Sequence, residues 1–335
     1  MLPVVMRYGT IHSFESLPGD RDGHVGVYAH GFEQIVRSEQ LGFTYVNVTE
    51  HHATDDGYCP ALMPVLAALA MRTTTLRLST GMLILPLHNP VRIAEEAAVV
   101  DVLSGGRLTL GVAAGYRELE FAVMESDHRR RGKRFRESLE VLLAAWTGEP
   151  FSYDGETIGL PEIVVRPTPL QRPHPPLWLG GGSDPALRRA IRYGAPLFPG
   201  ATTPMGEVRQ LWHRFQGFCA EAGSRPAGFV LPRLAFVGET VERARAVALP
   251  AIAAMFERYV MYGNPPEVRE ALADWSLLDE YVLVGDAATV AARVQELETL
   301  GVTDLLLQFA IPSLDPGDAM ESMERFAAAV GLTAA

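Results

Sequence analysis

Short apolar runs rich in valine, isoleucine, leucine and threonine alternate with longer segments of helical periodicity along almost the whole chain. This alternation is typical of parallel strand-helix-strand units, because each buried strand is followed by a helix that crosses back over the sheet. Eight strand-helix pairs close a barrel, so the pattern predicts an α/β fold with a single (β/α)8 TIM barrel over residues 1–335. A doubly wound sheet is the alternative. The predicted strands are residues 4–11, 44–49, 76–85, 107–114, 176–181, 195–200, 230–238 and 304–310.

Two segments do not fit a minimal barrel. Residues 148–175 contain too many prolines for a helix and predict an inserted hairpin and loop before the fifth strand. Residues 257–283 carry three tyrosines, a tryptophan and a Pro-Pro pair ahead of the last strand. Long insertions in barrels often cover the active site or contact a partner, so both segments are expected to act as loops or lids.

Composition narrows the class of protein. The chain of 335 residues is 48% hydrophobic, which allows a large core, and its net charge of −11 argues against nucleic-acid or anionic-membrane partners, which need a basic surface. Its two cysteines, Cys59 and Cys219, lie far apart and predict neither a disulfide framework nor a cysteine zinc site. The first twenty residues show no apolar stretch of membrane-spanning length and no signal-peptide pattern, so the expected location is the cytoplasm.

Glu50, His51 and His52 follow the second predicted strand in the stretch TEHH. In a barrel, the carboxyl ends of the strands carry the active site. An imidazole donates or accepts a proton near neutral pH, so His51 is the candidate acid-base residue, with Glu50 expected to orient it or stabilise its charged form. The alternative is a polar rim without catalytic function. A metal site is not favoured, because adjacent residues of an extended strand point to opposite sides.

Three further patterns are candidate ligand contacts, and the first of them suggests a phosphate. In WLGGGSDPALRRAIRYG, residues 178–194, a glycine turn runs into a helix whose free N–H groups favour an anion, although a plain tight turn explains the glycines equally well. The run DHRRRGKRFR, residues 127–136, supplies arginines, although most such runs are solvated helix faces. Gly81 interrupts an otherwise apolar strand, which is typical of close approach by a ligand or of an unusual peptide geometry.

Taken together, the segments resemble the bacterial-luciferase-like family of flavin-dependent oxidoreductases. The resemblance covers nearly the whole chain, including a tail at residues 284–309 that is similar to the family's last strand-helix repeat. It implies a (β/α)8 barrel with an insertion. The matching stretches are EHH at 50–52, LPLHNPVRIAEEAAVVDVLSGGRLTLGVAAGYRELEF at 85–121, RRGKRFRESLEVLLAAWTGEP at 130–150 and PHPPLWLGGGSDPALRRAIRYG at 173–194.

The resemblance also implies roles for individual residues. His51 matches the family's catalytic histidine beside the flavin ring. The phosphate loop of the family matches Gly181, Gly182 and Ser183. Arg131 is the arginine expected to bind the phosphate, with Arg130 and Arg134 as alternatives. Under the flavin ring, relatives carry a non-prolyl cis peptide that matches Thr80, Gly81 and Met82.

Departures from the family pattern limit the chemistry. Ala113 and Ala114 stand where light-emitting luciferases have a cysteine and a phosphate-binding arginine, so bioluminescence is not implied. Tyr116 stands where the family's sugar-phosphate dehydrogenases carry a glutamate acid.

The predicted function is a flavin-dependent monooxygenase in which reduced FMN, supplied by a separate flavin reductase, and molecular oxygen oxidise a small organic substrate. One alternative is a reductase or dehydrogenase that transfers hydride with the 8-hydroxy-5-deazaflavin coenzyme. Another is a catalytically silent barrel subunit. The expected assembly is a homodimer, and no metal, nucleic acid or membrane is expected to take part.

Overall fold

The computed structural model describes residues 6–17 and 23–333, and most of them lie in alternating strands and helices. The strands are β1 Arg7–His12, β2 Tyr45–Val48, β3 Arg77–Thr80, β4 Leu83–Ile84, β5 Leu108–Ala113, β6 Phe151–Asp154, β7 Gly159–Ile163, β8 Leu177–Leu179, β9 Val230–Gly238, β10 Val282–Asp286 and β11 Asp304–Gln308. The helices are α1 Gly23–Gln40, α2 Leu62–Ala70, α3 Pro90–Leu103, α4 Glu118–Val123, α5 Arg131–Thr147, α6 Asp184–Arg192, α7 Met205–Glu221, α8 Val241–Met261, α9 Glu267–Glu270, α10 Trp275–Leu278, α11 Ala287–Leu300 and α12 Pro316–Ala329.

The main sheet is parallel throughout and follows the order of a barrel. Strands β1, β2, β3, β5 and β8 lie side by side, and on the other edge of β1 come β11 and then β9. Between β8 and β9 the barrel wall has little strand pairing. Leu197 forms an isolated bridge to Phe229, and the Gly181 N–H donates to Phe198 O at 3.3 Å. The predicted TIM-barrel architecture is confirmed, although continuous strand pairing does not close the ring.

Two sequence-based predictions are wrong at the place of the sixth barrel strand. Residues 195–200 were expected to form a full strand, but Pro196 and Pro199 have no N–H to donate, and only the bridge at Leu197 forms. Strand β10 was not expected, because it overlaps the end of the stretch at 257–283 interpreted as an insertion. It pairs with the carboxyl half of β9 on the edge opposite β11 and so completes the upper part of this wall.

The two irregular segments differ in kind. Residues 151–163 form an antiparallel hairpin of β6 and β7 outside the barrel, and cis peptide bonds precede Pro167 and Pro173 in the loop that follows. The segment at 257–283 begins inside α8, which extends to Met261, and continues through the short helices α9 and α10. Only its middle part is therefore an insertion between a barrel helix and a strand.

Along each strand, side chains point alternately outward to the helices and inward to the barrel, so the core has two layers. Outward residues such as Val46, Leu78 and Leu110 are completely buried under the helices. Inward residues fill the lower barrel with large side chains, and above them inward positions carry Asn47 and Gly111, which are small or polar. The large apolar side chains inside the lower barrel are those of Ile11, Tyr45, Trp178, Phe198, Val230 and Leu306.

Two smaller features concern the cysteines and the length of the helices. Cys59 and Cys219 are both buried and unbonded. Within residues 6–17 and 23–333, no helix combines the length and apolar character needed to cross a lipid bilayer.

Candidate active site

His51 is held by an acid that the sequence analysis did not identify. Its Nδ1 lies 2.7 Å from Glu120 Oε1, and the same oxygen accepts the backbone N–H of His52 at 3.0 Å. Glu120 is completely buried, and its Oε2 has no hydrogen-bond partner among the described residues. Glu120 lies near the start of α4, just after β5, so the pair joins the carboxyl ends of two barrel strands.

Aromatic rings surround His51 on its remaining sides. The ring centroids of Tyr58, Tyr262 and Tyr116 lie 4.7, 5.3 and 6.0 Å from that of the imidazole. The Tyr58 hydroxyl lies 2.7 Å from Thr49 Oγ1, and burial raises the pKa of Tyr58 well above its ordinary value. These tyrosines are therefore neutral at physiological pH, and their rings give His51 largely apolar surroundings.

His52 belongs to a second network. Glu50 Oε1 lies 2.8 Å from His52 Nε2 and 2.7 Å from His88 Nε2, while Glu50 Oε2 accepts the backbone N–H of Ile84. Burial alone would raise the pKa of Glu50, but hydrogen bonds from His52 and His88 and their charges lower it to about 2. Burial likewise opposes the charge on His88, yet the bond and charge of Glu50 raise its pKa. Glu50 is therefore ionised and fully bonded.

The expectation that Glu50 orients His51 is wrong, because Glu50 contacts His52 and His88 and Glu120 takes the place beside His51. Adjacency in sequence is misleading here, since consecutive extended residues point in opposite directions. The ligand-type atoms of Glu50, His52 and His88 lie within 4.8 Å of one another, an arrangement that resembles a metal site. Their separations of 2.7 and 2.8 Å are hydrogen-bond distances, which accounts for the cluster without an ion.

The peptide bond between Gly81 and Met82 is cis, as the family resemblance implied. It lies between β3 and β4, next to the end of β2, where the Gly81 N–H donates to Val48 O at 2.8 Å. Thr80 is not free to bind a ligand through its hydroxyl, which donates to Gly111 O at 2.6 Å and accepts from Gly111 N at 2.8 Å. Gly81 and Met82 are half-buried, and Met82 packs against the apolar cluster inside the barrel.

A buried donor lies beside this peptide. Asn47 Oδ1 accepts from Ser79 at 2.9 Å, whereas Asn47 Nδ2 is buried with no hydrogen-bond partner among the described residues. A Cβ at Gly81 would collide with the Asn47 amide, and one at Gly111 would collide with Thr80 O. The two glycines therefore allow the chain to pack closely against the Asn47 amide, whose buried donor lacks an acceptor, and against Thr80 O.

The glycine turn adjoins the same space. A Cβ at Gly180 would lie 3.1 Å from Met82 Cγ, so the turn starts next to the cis peptide. Gly181 has a φ of +129°, and Ser183 precedes α6 as an exposed N-cap residue whose side chain makes no capping hydrogen bond. The first N–H groups of α6 are thus not satisfied by a side chain, which is the condition for binding an anion.

The three candidate arginines are used differently. Arg134 donates to Pro86 O at 2.9 Å, and Arg130 donates to Glu156 O at 3.0 Å. Arg131 donates to His128 O at 3.0 Å, and no hydrogen bond joins it to the glycine turn within the described part of the chain. Arg214 of α7, which the sequence analysis did not consider, pairs with Asp184 at this turn. Its position on a later helix gave no signal in the sequence.

Comparison with known proteins decides the family. Residues 6–304 match the family described as luciferase-like monooxygenase. The chain belongs to this family. The expected family and the expected class of enzyme, a flavin-dependent oxidoreductase, are thereby confirmed.

Three relatives illustrate the range of the family. The uncharacterized protein y4wF of Sinorhizobium fredii is 30% identical over 94% of this chain and 93% of its own length. The oxygenase component of the flavin-dependent trigonelline monooxygenase of Acinetobacter baylyi is 28% identical over 72% of this chain and 68% of its own. The FMNH2-dependent dimethylsulfone monooxygenase of Pseudomonas putida is 28% identical over 81% and 79%.

Solved structures share the fold. Monooxygenase RslO1 of Streptomyces bottropensis superposes with a TM-score of 0.84 at 23% identity, over 97% of this chain and 98% of that one. The oxygenating constituent of 3,6-diketocamphane monooxygenase of Pseudomonas putida, in complex with FMN, gives 0.81 at 19% identity over 97% and 98%. The coenzyme F420-dependent tetrahydromethanopterin reductase of Methanopyrus kandleri gives 0.77 at 18% identity over 96% and 97%. The same fold thus occurs in an enzyme that binds FMN and in a coenzyme F420-dependent reductase.

Proposed function

We propose that the protein is a monooxygenase that uses reduced FMN and molecular oxygen to oxidise a small organic substrate. The observation that carries this proposal is the His51–Glu120 pair at the end of β2, beside the Gly81–Met82 peptide at the end of β3. The membership of the chain in the luciferase-like monooxygenase family supports it, as do the names of its FMN-dependent relatives.

The residues present fit a flavin. The buried N–H of Asn47, which lies beside the Gly81–Met82 peptide and has no partner among the described residues, suits an acceptor on the edge of a flavin ring. Reduced FMN supplies two electrons, which allow one atom of O2 to enter the substrate while the other leaves as water. Gly181, Gly182 and Ser183 at the start of α6, with Arg131, are proposed to hold the phosphate.

His51 is proposed to donate or accept the proton that is transferred in the reaction. Glu120 engages Nδ1, so Nε2 is the atom left to donate or accept a proton. The hydrogen bond with Glu120 fixes the orientation of the imidazole ring. Tyr58, Tyr116 and Tyr262 exclude water around the imidazole, which favours controlled proton transfer.

The middle of the 257–283 segment is proposed to act as a lid. Tyr262 donates its hydroxyl to Asp56 at 2.6 Å, and Asn264 donates to the Tyr116 hydroxyl at 3.1 Å, so this segment already touches the rim around His51. Limited proteolysis with and without flavin and substrate tests this role. Slower cleavage within the segment on binding is expected, and equal rates would argue for a fixed contact.

The choice of cofactor is tested by comparing two reactions. The protein is mixed with photoreduced FMN in air, and separately with the reduced deazaflavin coenzyme without oxygen, each with a panel of small organic substrates. Oxygenated product in the first reaction supports the proposal. Product only in the second reaction favours the hydride-transferring alternative, for which the similarity in fold to F420-dependent enzymes is the supporting observation. Product in neither, together with undetectable flavin binding, favours the silent subunit.

Partners and assembly are also proposals. A relative named as an oxygenase component suggests that a separate reductase supplies the reduced flavin. The enzyme is expected to act in the cytoplasm as a homodimer, which light scattering tests against the 36.5 kDa mass of one chain.

A further inference from the structure

A cavity of about 200 Å³ lies outside the barrel, between strands β9 and β10 and helices α7 and α11. Arg233 of β9 lines it and shares the helix-covered face of that strand with Leu231 and Ala235. The volume is below the range of drug-sized ligand sites, about 300–1,000 Å³, and suits a molecule of a few non-hydrogen atoms. None of the residues assigned above to the His51 site or to the flavin lines it.

Arg233 is a buried cation without an acidic partner. The residue is only 3% exposed. Its two Nη groups donate to Pro232 O and Thr203 O, both at 2.9 Å, and to Met205 Sδ at 3.1 Å. In the described part of the chain, carbonyl oxygens and a sulfur therefore contact this guanidinium, and no carboxylate does.

The charge on Arg233 is costly. Burial and the charge of Arg293 lower the pKa of Arg233 to about 9, against the opposing charge of Glu280. The guanidinium is therefore still protonated at pH 7, although its burial is not offset by an acid in contact with it. An anion bound beside a buried cation offsets this cost and stabilises the folded protein.

Three arginines have N–H groups free to bind an anion in this cavity. Arg233 Nε and Arg293 Nε make no hydrogen bond among the described residues, and neither is completely enclosed, whereas the unpartnered Nε of Arg245 is. Arg209 is exposed at the rim and forms no ion pair within residues 6–17 and 23–333. The cavity thus contains free guanidinium donors at its base and at its rim.

The acids that line the cavity are engaged or exposed. Asp279 pairs with Arg293 at 3.2 Å and with Arg245, which lies behind the lining, at 3.3 Å. Glu280 accepts a backbone N–H at the start of α7 at 2.7 Å, and Glu296 is exposed. Together with Arg209 and Arg233, four arginines face three acids, so this group has one positive charge in excess.

We propose that this cavity is a binding site for a small oxyanion, a carboxylate or a phosphate, whose oxygens accept hydrogen bonds from Arg233 Nε and Arg293 Nε. Guanidinium groups form short, charge-assisted hydrogen bonds with both kinds of anion. Arg209 at the rim adds a third positive charge where the ligand enters. The proposal rests on this cavity alone and is independent of the flavin chemistry proposed above.

Calorimetric titration of the full chain with acetate, with inorganic phosphate and with the neutral analogue acetamide, at pH 7 and constant ionic strength, tests the site. At least one of the two anions is expected to bind roughly 10-fold tighter than acetamide or more, and the tighter anion identifies the class of ligand. Arg233→Met should weaken this binding by roughly 10-fold or more. Arg225→Gln removes the same charge from an exposed position after the other end of α7, and it should leave binding unchanged.

A further variant separates this cavity from the proposed flavin-phosphate turn. Ser183→Asp should weaken binding of an anion at the start of α6 and leave binding at Arg233 intact. Anion binding that is lost in Ser183→Asp but kept in Arg233→Met would overturn the proposal.

Equal affinity for the anions and acetamide would also overturn it, as would the absence of anion binding. A melting curve of each variant establishes folding. If Arg233→Met does not fold, Arg209→Gln at the exposed rim decides: binding weaker than in Arg225→Gln by roughly 3-fold or more supports the proposal, and equal binding overturns it. No turnover is measured, so the outcome is separate from the test of the flavin chemistry.

Discussion

His51 and His52 are neighbours in the chain and equally buried, each 8% exposed, yet they lie in networks of opposite character. His51 meets one carboxylate, Glu120, which keeps a spare oxygen, and its other neighbours are tyrosine rings. His52 shares Glu50 with His88, and Glu50 also accepts a backbone N–H, so this network has no spare carboxylate oxygen. Burial does not distinguish the two histidines, whereas the completeness of their hydrogen bonding does. We infer that the first network performs chemistry and the second holds the ends of β2 and β4 together.

The most sensitive test of this comparison is His51→Ala. Loss of the acid-base group is expected to lower kcat by roughly 100-fold or more, with flavin affinity nearly unchanged. Steady-state kinetics and a flavin titration measure the two effects. His52→Ala is the matched control and should cost much less turnover. If His52→Ala abolishes turnover and His51→Ala does not, the roles of the two networks are reversed.

Flavin affinity should depend on neither histidine network but on the start of α6. Ser183→Asp places a negative charge at the uncapped helix start and is expected to weaken FMN binding by roughly 10-fold or more. Ser183→Ala serves as the neutral control and should bind FMN nearly as well as the wild type. Unchanged affinity for FMN in Ser183→Asp, measured by fluorescence titration, would remove this turn from the phosphate site.

Glu120→Gln sharpens the distinction within the first network. The amide keeps the shape of the side chain but weakens the hydrogen bond that orients the His51 ring, so a loss in kcat of roughly 10-fold is expected. Flavin affinity should stay nearly unchanged, because Glu120 acts on the imidazole and not on the phosphate site. Steady-state kinetics and a flavin titration measure the two effects, and an unchanged kcat contradicts the assignment.

Glu50→Gln should affect stability more than turnover. The raised pKa of His88 stabilises the fold below the ordinary value of about 6.5, and this contribution is lost as pH rises through the raised value. The lowered pKa of Glu50 stabilises the fold above about 4.5, and this contribution is lost as pH falls towards about 2. The variant is therefore expected to lose about 1–3 kcal/mol at pH 5 to 6 and less at pH 9. Urea unfolding at these pH values measures the difference, and an equal loss at both would exclude the ionic contribution.

Much of the barrel was predictable because strand and helix periodicities are local signals. The main failures concern the sixth position, where Pro196 and Pro199 interrupt a run that looks apolar enough for a strand. Strand β10 was overlooked for the opposite reason, since the aromatic and proline-rich stretch before it resembles an insertion.

The site was predictable only in part. His51 and the Gly81–Met82 peptide were identified through the family resemblance, and the structure places both at neighbouring strand ends. Glu120 was missed because it lies 69 residues from His51 in sequence and meets it only when the barrel brings β2 and β5 to one rim. Glu50 was misassigned because its partner His88 is 38 residues away. Contacts of this range follow from topology rather than from any local pattern.

Glu120 is carried by α4, a helix of six residues on the outer rim that is anchored by buried Phe121 and otherwise exposes Leu119 and Val123. The acid that contacts His51 therefore belongs to a peripheral element and not to the barrel wall. Substitutions that tilt this short helix move the carboxylate beside His51 without disturbing a single barrel strand. During evolution, the surroundings of His51 can therefore change while the strands that determine the fold stay the same.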